Sequence, residues 1–335
     1  MLSRTLAIPL RRASLPGKPV LVQGPRGAGK TMLLRNAFPA HTYVTLDDPV
    51  DRARARQDPR AFLGRLRGPA VIDDVHRAPG LIECMEGLPA LVLASSLRLQ
   101  TPFTTFELYP PTQAELEGRP PLALDMLGRF EASAGPASRQ LGTAFAPNRS
   151  WLDRDVRALV NVHDPERFEV FFALAEARTG TVLDQQAMAA ECGVSHRTVV
   201  RWLGVLDACF RTLRLPASRI DFGRRLVRSP KLHFLESASL ESRAVAEIYK
   251  NARHLGIAPE LAYWRDSNGF EIPLIIQTDT APMMPVCIAA QPNPSDIGRL
   301  RRWMEMAGVS QGAMIAEDGR QLRRRGILSY AIGKL

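Results

Sequence analysis

Residues 24–31 read GPRGAGKT, a complete match to G-x-x-x-x-G-K-[ST], with apolar Val20, Leu21 and Val22 before it and Met32, Leu33 and Leu34 after it. Few short patterns restrict a chain so tightly. Glycines let the backbone turn sharply, so that successive N–H groups face one point at the start of the next helix and form a cradle for phosphate oxygens. The Lys ammonium then reaches the β- and γ-phosphates, and the following hydroxyl is placed for Mg2+. The loop predicts strand, turn and helix in that order, with Gly24, Pro25, Arg26, Gly27, Ala28, Gly29, Lys30 and Thr31 around ATP and Thr31 on Mg2+. A glycine-rich turn without a ligand is the alternative, and the strand-loop-helix context argues against it.

Apolar runs ending in turn or polar residues recur at 20–22, 43–46, 70–72, 91–94 and 106–109, with helical patterns between the earlier ones. Short buried strands alternating with helices predict an α/β fold with a parallel sheet, whose ligands bind beyond the carboxyl ends of the strands. The third run continues into two carboxylates, AVIDD at 70–74, the pattern of a Walker B segment. Asp73 is predicted to support the Mg2+ shell, and Asp74 to orient or deprotonate water. Two acids after a strand also make a helix cap, but the glycine loop upstream favours the site reading. Lys30 and Asp74 are the catalytic candidates, and Thr31 and Asp73 the metal candidates. The fourth run ends in Ser95-Ser96. Ser96, more than Ser95, is a candidate contact to the γ-phosphate or the attacking water, and turn-forming serines account for the same residues.

The stretches LVQGPRGAGKTMLLR, YVTLDDP, VIDDVHRAPGLI, WLDRDVRALVNV, RRLVRSPKLHFLES and YWRDSNGFEIPLII together resemble the prokaryotic AAA-type ATPases that carry a C-terminal domain of unknown function 4143. The resemblance spans nearly the whole chain. It implies a P-loop NTPase sheet, a helical winged-helix-like region and a small α/β module similar to restriction endonucleases. The expected boundaries are 1–130, a linker at 131–150, 151–240 and 241–335. Relatives of this kind usually carry Asp-Glu where this chain has Asp73-Asp74, one methylene shorter. A misplacement of about 1 Å costs on the order of 100-fold in rate, so slow turnover is expected. The Gly-Arg dipeptide common after the fourth strand has no counterpart, and no arginine finger can be placed.

Residues 131–150, rich in Ala, Pro, Ser and Gly, read as a linker. Beyond them Phe168, Phe171, Phe172 and Ala175 fall at helical spacing; a helix over 185–192 stops at Gly193, and Ser195 caps another with Val199, Trp202, Leu203 and Leu206 on one face and Arg197, Arg201 and Gly204 on the other. This is a helix-turn-helix pattern. One reading puts Arg197 and Arg201 in a DNA groove, with Arg224, Arg225, Arg228 and Lys231 on a basic wing. The other is a helical domain that packs on the ATPase with its arginines in water.

The last module begins with a helix carrying Val245, Ile248, Tyr249 and Ala252, followed by a hairpin over 261–265 and 270–277 that turns at Ser267-Asn268-Gly269. Nuclease relatives would present Asp and Glu-x-Lys where this chain has Pro273, Cys287 and Ala289, so Glu271 and Glu247 are left without a catalytic set, and no nuclease activity is expected. The G-x-S-x-G match at 308–312 has its helix before the serine rather than after it, which fits a helix end and not a nucleophile elbow.

Composition adds limits. The net charge is +10, but Lys occurs only at 18, 30, 231, 250 and 334, so the excess is nearly all Arg, as in GC-rich genomes, and the positions of the arginines say more than their number. Four scattered cysteines and six histidines without ligand spacing support neither disulfides nor zinc. No run approaches the roughly 20 apolar residues of a membrane span, and the expected location is the cytoplasm. The expected function is a slow Mg2+-dependent ATPase that couples nucleotide state to its C-terminal region. The alternatives are a non-hydrolysing, nucleotide-gated regulator that binds DNA or protein and, more weakly, a small-molecule phosphotransferase, for which no arginine-rich lid is evident.

Overall fold

The structure, a computed structural model, describes residues 2–15, 18–85, 88, 90–121, 165–279, 281–318 and 322–335. The predicted linker at 131–150 and the stretch WLDRDVRALVNV lie outside the described residues. Two compact units are present. One comprises Met1–Pro111, Ala208–Phe210 and Arg253–Ile257; the other comprises Thr112–Asp207, Arg211–Ala252 and Ala258–Leu335.

The first unit is built on five parallel strands, β1 (Val20–Gln23), β2 (Thr42–Thr45), β3 (Ala70–Asp73), β4 (Leu91–Ser95) and β5 (Thr104–Glu107), in the order β2-β3-β4-β1-β5. The three central strands are buried along their whole length, which is why they read as unbroken apolar runs. Their side chains alternate between two cores. Val20, Val22, Val71, Val92 and Ala94 pack with helices α1 (Ala7–Ser14) and α2 (Lys30–Ala37). Leu21, Ile72, Leu91 and Leu93 pack with α3 (Pro49–Gln57), α4 (Pro59–Gly64) and α5 (Gly80–Glu83). Asp48 and Asp58 cap α3 and α4 by accepting N–H bonds from Val50, Asp51 and Ala61, each before a proline at the helix start. The fifth strand sits two residues earlier than its apolar run. As an edge strand it exposes Thr104 and Thr105, while Leu108 and Tyr109 are buried just past its end. Because β4 lies between β1 and β3, its carboxyl end falls between the glycine loop and the paired carboxylates.

The second unit contains helices α6 (Gln113–Glu117), α7 (Pro165–Ala177), α8 (Gln185–Cys192) and α9 (His196–Ala208), the last of which ends in the first unit. Gly193 adopts the left-handed conformation that ends α8, and the Ser195 hydroxyl accepts the Thr198 N–H at 3.1 Å to start α9. Phe168 and Phe171 meet the Trp202 ring at 5.4 and 5.2 Å between centroids, fixing α7 on α9. Three short antiparallel strands, β6 (Thr181–Val182), β7 (Thr212–Leu215) and β8 (Lys231–Phe234), pair in the order β6-β8-β7. After α10 (Leu240–His254), a six-stranded mixed sheet runs β13-β14-β12-β11-β10-β9, made of β9 (Glu260–Arg265), β10 (Glu271–Thr278), β11 (Ala281–Ile288), β12 (Gly312–Ala316), β13 (Leu322–Arg324) and β14 (Ile327–Ala331). Helix α11 (Pro294–Ala307) crosses between the parallel β11 and β12, with Trp303 and Leu300 packed on Trp264 and Ile272. Gly308 ends α11 at φ +65 and β12 follows it, so the G-x-S-x-G match is a helix end followed by a strand.

Glycines test this packing in both directions. A Cβ on Gly24 would stand 1.8 Å from the Leu108 carbonyl oxygen, whereas one on Gly204, inside α9, would meet nothing within 4 Å. Gly24→Ala is expected to lower stability by about 1–3 kcal/mol through overpacking, and Gly204→Ala to raise it by about 0.4–1 kcal/mol. Urea midpoints with unchanged slopes measure both.

Candidate nucleotide site

The glycine loop leaves β1 under tight backbone control. The Gly24 N–H donates to the Ser95 carbonyl at 3.1 Å, binding the loop to the end of β4, and the Ala28 N–H closes a turn on Pro25 at 3.2 Å. Gly27 and Gly29 take φ +83 and +89, values that disfavour any side chain. Gly29 opens α2 with no side-chain cap, so the first-turn N–H groups of that helix have no competitor from the chain's own cap. Lys30 is buried, and its Nζ donates to the carbonyls of Gly24 at 2.8 Å and Pro25 at 3.0 Å. The Arg4 guanidinium braces the loop from outside, donating to the carbonyls of Ala28 and Tyr109, each at 2.6 Å.

Asp73 ends β3 on the face that α2 covers, since Val71, two residues earlier, packs there. Its Oδ2 accepts the Thr31 hydroxyl at 2.7 Å and also the Tyr43 hydroxyl; its Oδ1 accepts the Asp74 N–H at 2.9 Å. Thr31 and Asp73, predicted to share a metal, are therefore already in contact. Asp74 is left-handed at φ +58, ψ +38, a conformation that Asp tolerates better than most residues. Its carboxyl is held above the ordinary range by burial and then by the Asp73 charge, against the pull of Arg77, Arg26 and Lys30. His76, two residues on, links the two strand ends: Nδ1 accepts the Ser96 N–H at 3.4 Å and lies 3.9 Å from Asp74 Oδ1. Burial, then the charges of Arg77, Lys30 and Arg26, push the imidazole down to about 4. Ser95 spends its hydroxyl on its own turn, donating to the Leu97 carbonyl at 2.5 Å and accepting the Leu97 N–H at 3.1 Å. Ser96 is buried beside it.

The loop from Gly24 to Thr31, with Asp73, Asp74 and Ser96, thus gathers at one end of the parallel sheet. Tyr43, His76 and Arg4 join them; Tyr43 and His76 lie in stretches that carry the family resemblance, but the sequence assigned none of the three a role. The uncapped helix start, the buried ammonium and the Thr-Asp hydroxyl-carboxylate pair are the donor and acceptor set that a Mg2+-triphosphate requires.

Sequence comparison agrees with this geometry. Residues 16–92 match the AAA domain family. The strand order above is that of a P-loop NTPase fold. Residues 148–244 match a second family, domain of unknown function DUF8612, and not the domain of unknown function 4143 that the resemblance led one to expect. Two curated relatives, the uncharacterized proteins Rv2008c of Mycobacterium tuberculosis and Mb2031c of Mycobacterium bovis, are each 27% identical over 285 residues. Each alignment covers 78% of this chain and 62% of the relative, so the chain spans less than two thirds of their length. Among solved structures, the signal transduction ATPase with numerous domains PH0952 of Pyrococcus horikoshii, which carries a tetratricopeptide repeat sensor, aligns at 14% identity. Its TM-score is 0.24, and the match covers 76% of this chain and 45% of that one. No helix among the described residues is long and apolar enough to cross a membrane.

The six basic residues that the sequence offered to a nucleic acid fall into two groups. Arg197 and Arg201 are exposed on α9, and Arg225 and Arg228 are exposed on the segment between β7 and β8. Arg224 and Lys231 are not available to phosphates as the sequence suggested. Arg224 pairs with the buried Asp266 at 2.5 Å, and Lys231, 2% exposed, lies between Glu241 at 2.8 Å and Glu271. A buried charge needs a partner, and these carboxylates supply it.

His76 sets a pH expectation. Its proton is disfavoured in the folded state, so the unfolded chain binds protons first as pH falls below about 6.5, and this contribution to stability is lost progressively toward pH 4. NMR should show the His76 imidazole still neutral at pH 5.5, and His76→Gln should flatten the fall in stability over that interval.

Proposed function

We propose that the first unit binds ATP with Mg2+ and hydrolyses it slowly, and that nucleotide state is passed to the second unit. The observation that carries this reading is the bonding of Thr31 and Asp74 to Asp73, with Lys30 held on the glycine loop, at the carboxyl end of a parallel sheet. Loop N–H groups and Lys30 would hold the phosphates, and Thr31 and Asp73 the Mg2+, which when bound neutralises charge on the terminal phosphate. Asp74, with its raised proton affinity, would accept a proton from water. Ser96 and His76 stand beside it as neutral hydrogen-bonding groups.

Contacts of Arg98 within the first unit support such coupling. Beyond Ser95 and Ser96, the Arg98 N–H donates to the Ala208 carbonyl at 2.9 Å, and the Arg98 guanidinium lies 4.4 Å from the Phe210 ring centroid. Ala208 is the last residue of α9, whose exposed face carries Arg197 and Arg201. The order helix, strand, helix, helix, strand, strand, with sheet order β6-β8-β7, supports a winged-helix assignment for residues 165–234. It also favours the second reading, a nucleotide-gated regulator that binds DNA or protein with little turnover. The last module is assigned no nuclease activity. Glu271 is paired with Lys231 and Arg265, and Cys287 is a buried thiol pushed up to about 11 by burial.

Phosphate release and nucleotide binding by wild type, Lys30→Ala and Asp74→Asn, with and without duplex DNA, test the proposal. Lys30→Ala should abolish nucleotide binding; Asp74→Asn should keep binding and lose about 100-fold or more in turnover. Binding without turnover in wild type would select the regulator, and no binding would overturn both readings. Stimulation by duplex DNA that disappears in the double variant Arg197→Ala, Arg201→Ala would identify the partner. Metal-dependent DNA cleavage lost in Glu271→Ala would overturn the nuclease assignment.

A further inference from the structure

The sequence assigned Tyr43 no role, yet its hydroxyl donates to the same Asp73 oxygen as Thr31. The geometry follows from register. Tyr43 stands opposite Val71 in the parallel β2–β3 pair, and its ring packs in the core between sheet and α2. A phenol laid along the strand reaches about two residues, roughly 6.6 Å, which brings its oxygen level with Asp73. The Arg35 guanidinium of α2 covers the ring at 4.0 Å from its centroid. Burial, then the bond to Asp73 and the Asp73 charge, push the phenol up to about 12, so it remains a donor throughout the physiological range.

A carboxylate has about four lone-pair sites. On Asp73 the Thr31 hydroxyl, the Tyr43 hydroxyl and the Asp74 N–H each take one. The Thr31 bond is compatible with metal binding, because a hydroxyl can give its hydrogen to Asp73 while its oxygen faces the ion. The Tyr43 bond is not neutral in the same way. It occupies an acceptor position that a water on the metal would use, and it withdraws electron density from the oxygen that attracts the cation. Mg2+ gives up its waters reluctantly and is held largely through them, so acceptors for those waters matter.

We propose that Tyr43 gates the metal: its hydroxyl holds Asp73 in the metal-free state and must yield that oxygen when Mg2+-nucleotide binds. This rests on the nucleotide reading above and adds a residue and a direction to it. Arg35, which clamps the ring from α2, sets how readily the hydroxyl withdraws. Tyr43 acts through Asp73 and is a positioning residue, not a catalytic one.

The test is a titration of full-length protein with a fluorescent ATP analogue, in EDTA and across a range of free Mg2+, for wild type, Tyr43→Phe and Arg35→Ala. Tyr43→Phe should lower the Mg2+ concentration for half-maximal tight binding by about three- to tenfold, the weight of one exchanged hydrogen bond, and leave metal-free binding within about twofold. Arg35→Ala should shift it in the same direction by less, providing a second measurement should the Phe variant fold poorly. An unchanged Mg2+ requirement, or a higher one, with wild-type binding intact would overturn the gate alone. Failure of wild type to bind the analogue in either condition would overturn the nucleotide reading, and the gate with it.

Discussion

The hydrogen bond from Thr31 to Asp73 joins two elements that are not neighbours in the sheet, the helix that follows β1 and the end of β3, across the intervening β4. The glycine loop that leads into that helix is pressed so close to its surroundings that Gly24 has no room for a side chain beside the Leu108 carbonyl. That approach sets the height of α2 over the sheet, and the height places a hydroxyl at hydrogen-bond distance from a carboxylate 42 residues away. The rest of the site is arranged around this one contact: the Asp74 turn, the His76 link to β4 and the Tyr43 hydroxyl all meet Asp73 or its immediate neighbour.

Asp74 shows how a local rule and a chemical need can agree. A left-handed residue after the strand turns the chain abruptly into the short helical turn at Val75–Arg77, and Asp bears that conformation at less cost than Glu. The shorter side chain that looks like a defect beside the usual Asp-Glu pair is therefore also the one the backbone accommodates. Its proton affinity rises because it is buried and because the Asp73 charge stands next to it.

The glycine loop, the two carboxylates, the parallel sheet and the helix-turn-helix were legible because each is encoded over a few consecutive residues or by simple periodicity. What was not legible depends on pairing between strands. Tyr43 reaches Asp73 only through the β2–β3 register, and His76 reaches Ser96 only because β4 lies beside β3. The fifth strand was displaced because its edge position exposes Thr104 and Thr105, which removes the apolar signal. The basic run around Arg224 and Lys231 misled for a related reason. Charge read along a chain suggests solvent, yet Lys231 meets Glu241 and Glu271 from 10 and 40 residues away and is enclosed by them.

That enclosed lysine has a consequence for how the chain can be divided. Its ammonium comes from β8, one carboxylate from α10 and the other from β10, and the segment before it is laced to β9 by bonds such as Val227 N–H to Arg265 carbonyl at 3.0 Å. Cutting after β8 would strip the buried ammonium of both its carboxylates, and cutting before it would leave Glu271 with Arg265 alone. The three-stranded sheet and the last module thus share one buried charge cluster, and neither can be removed without breaking it.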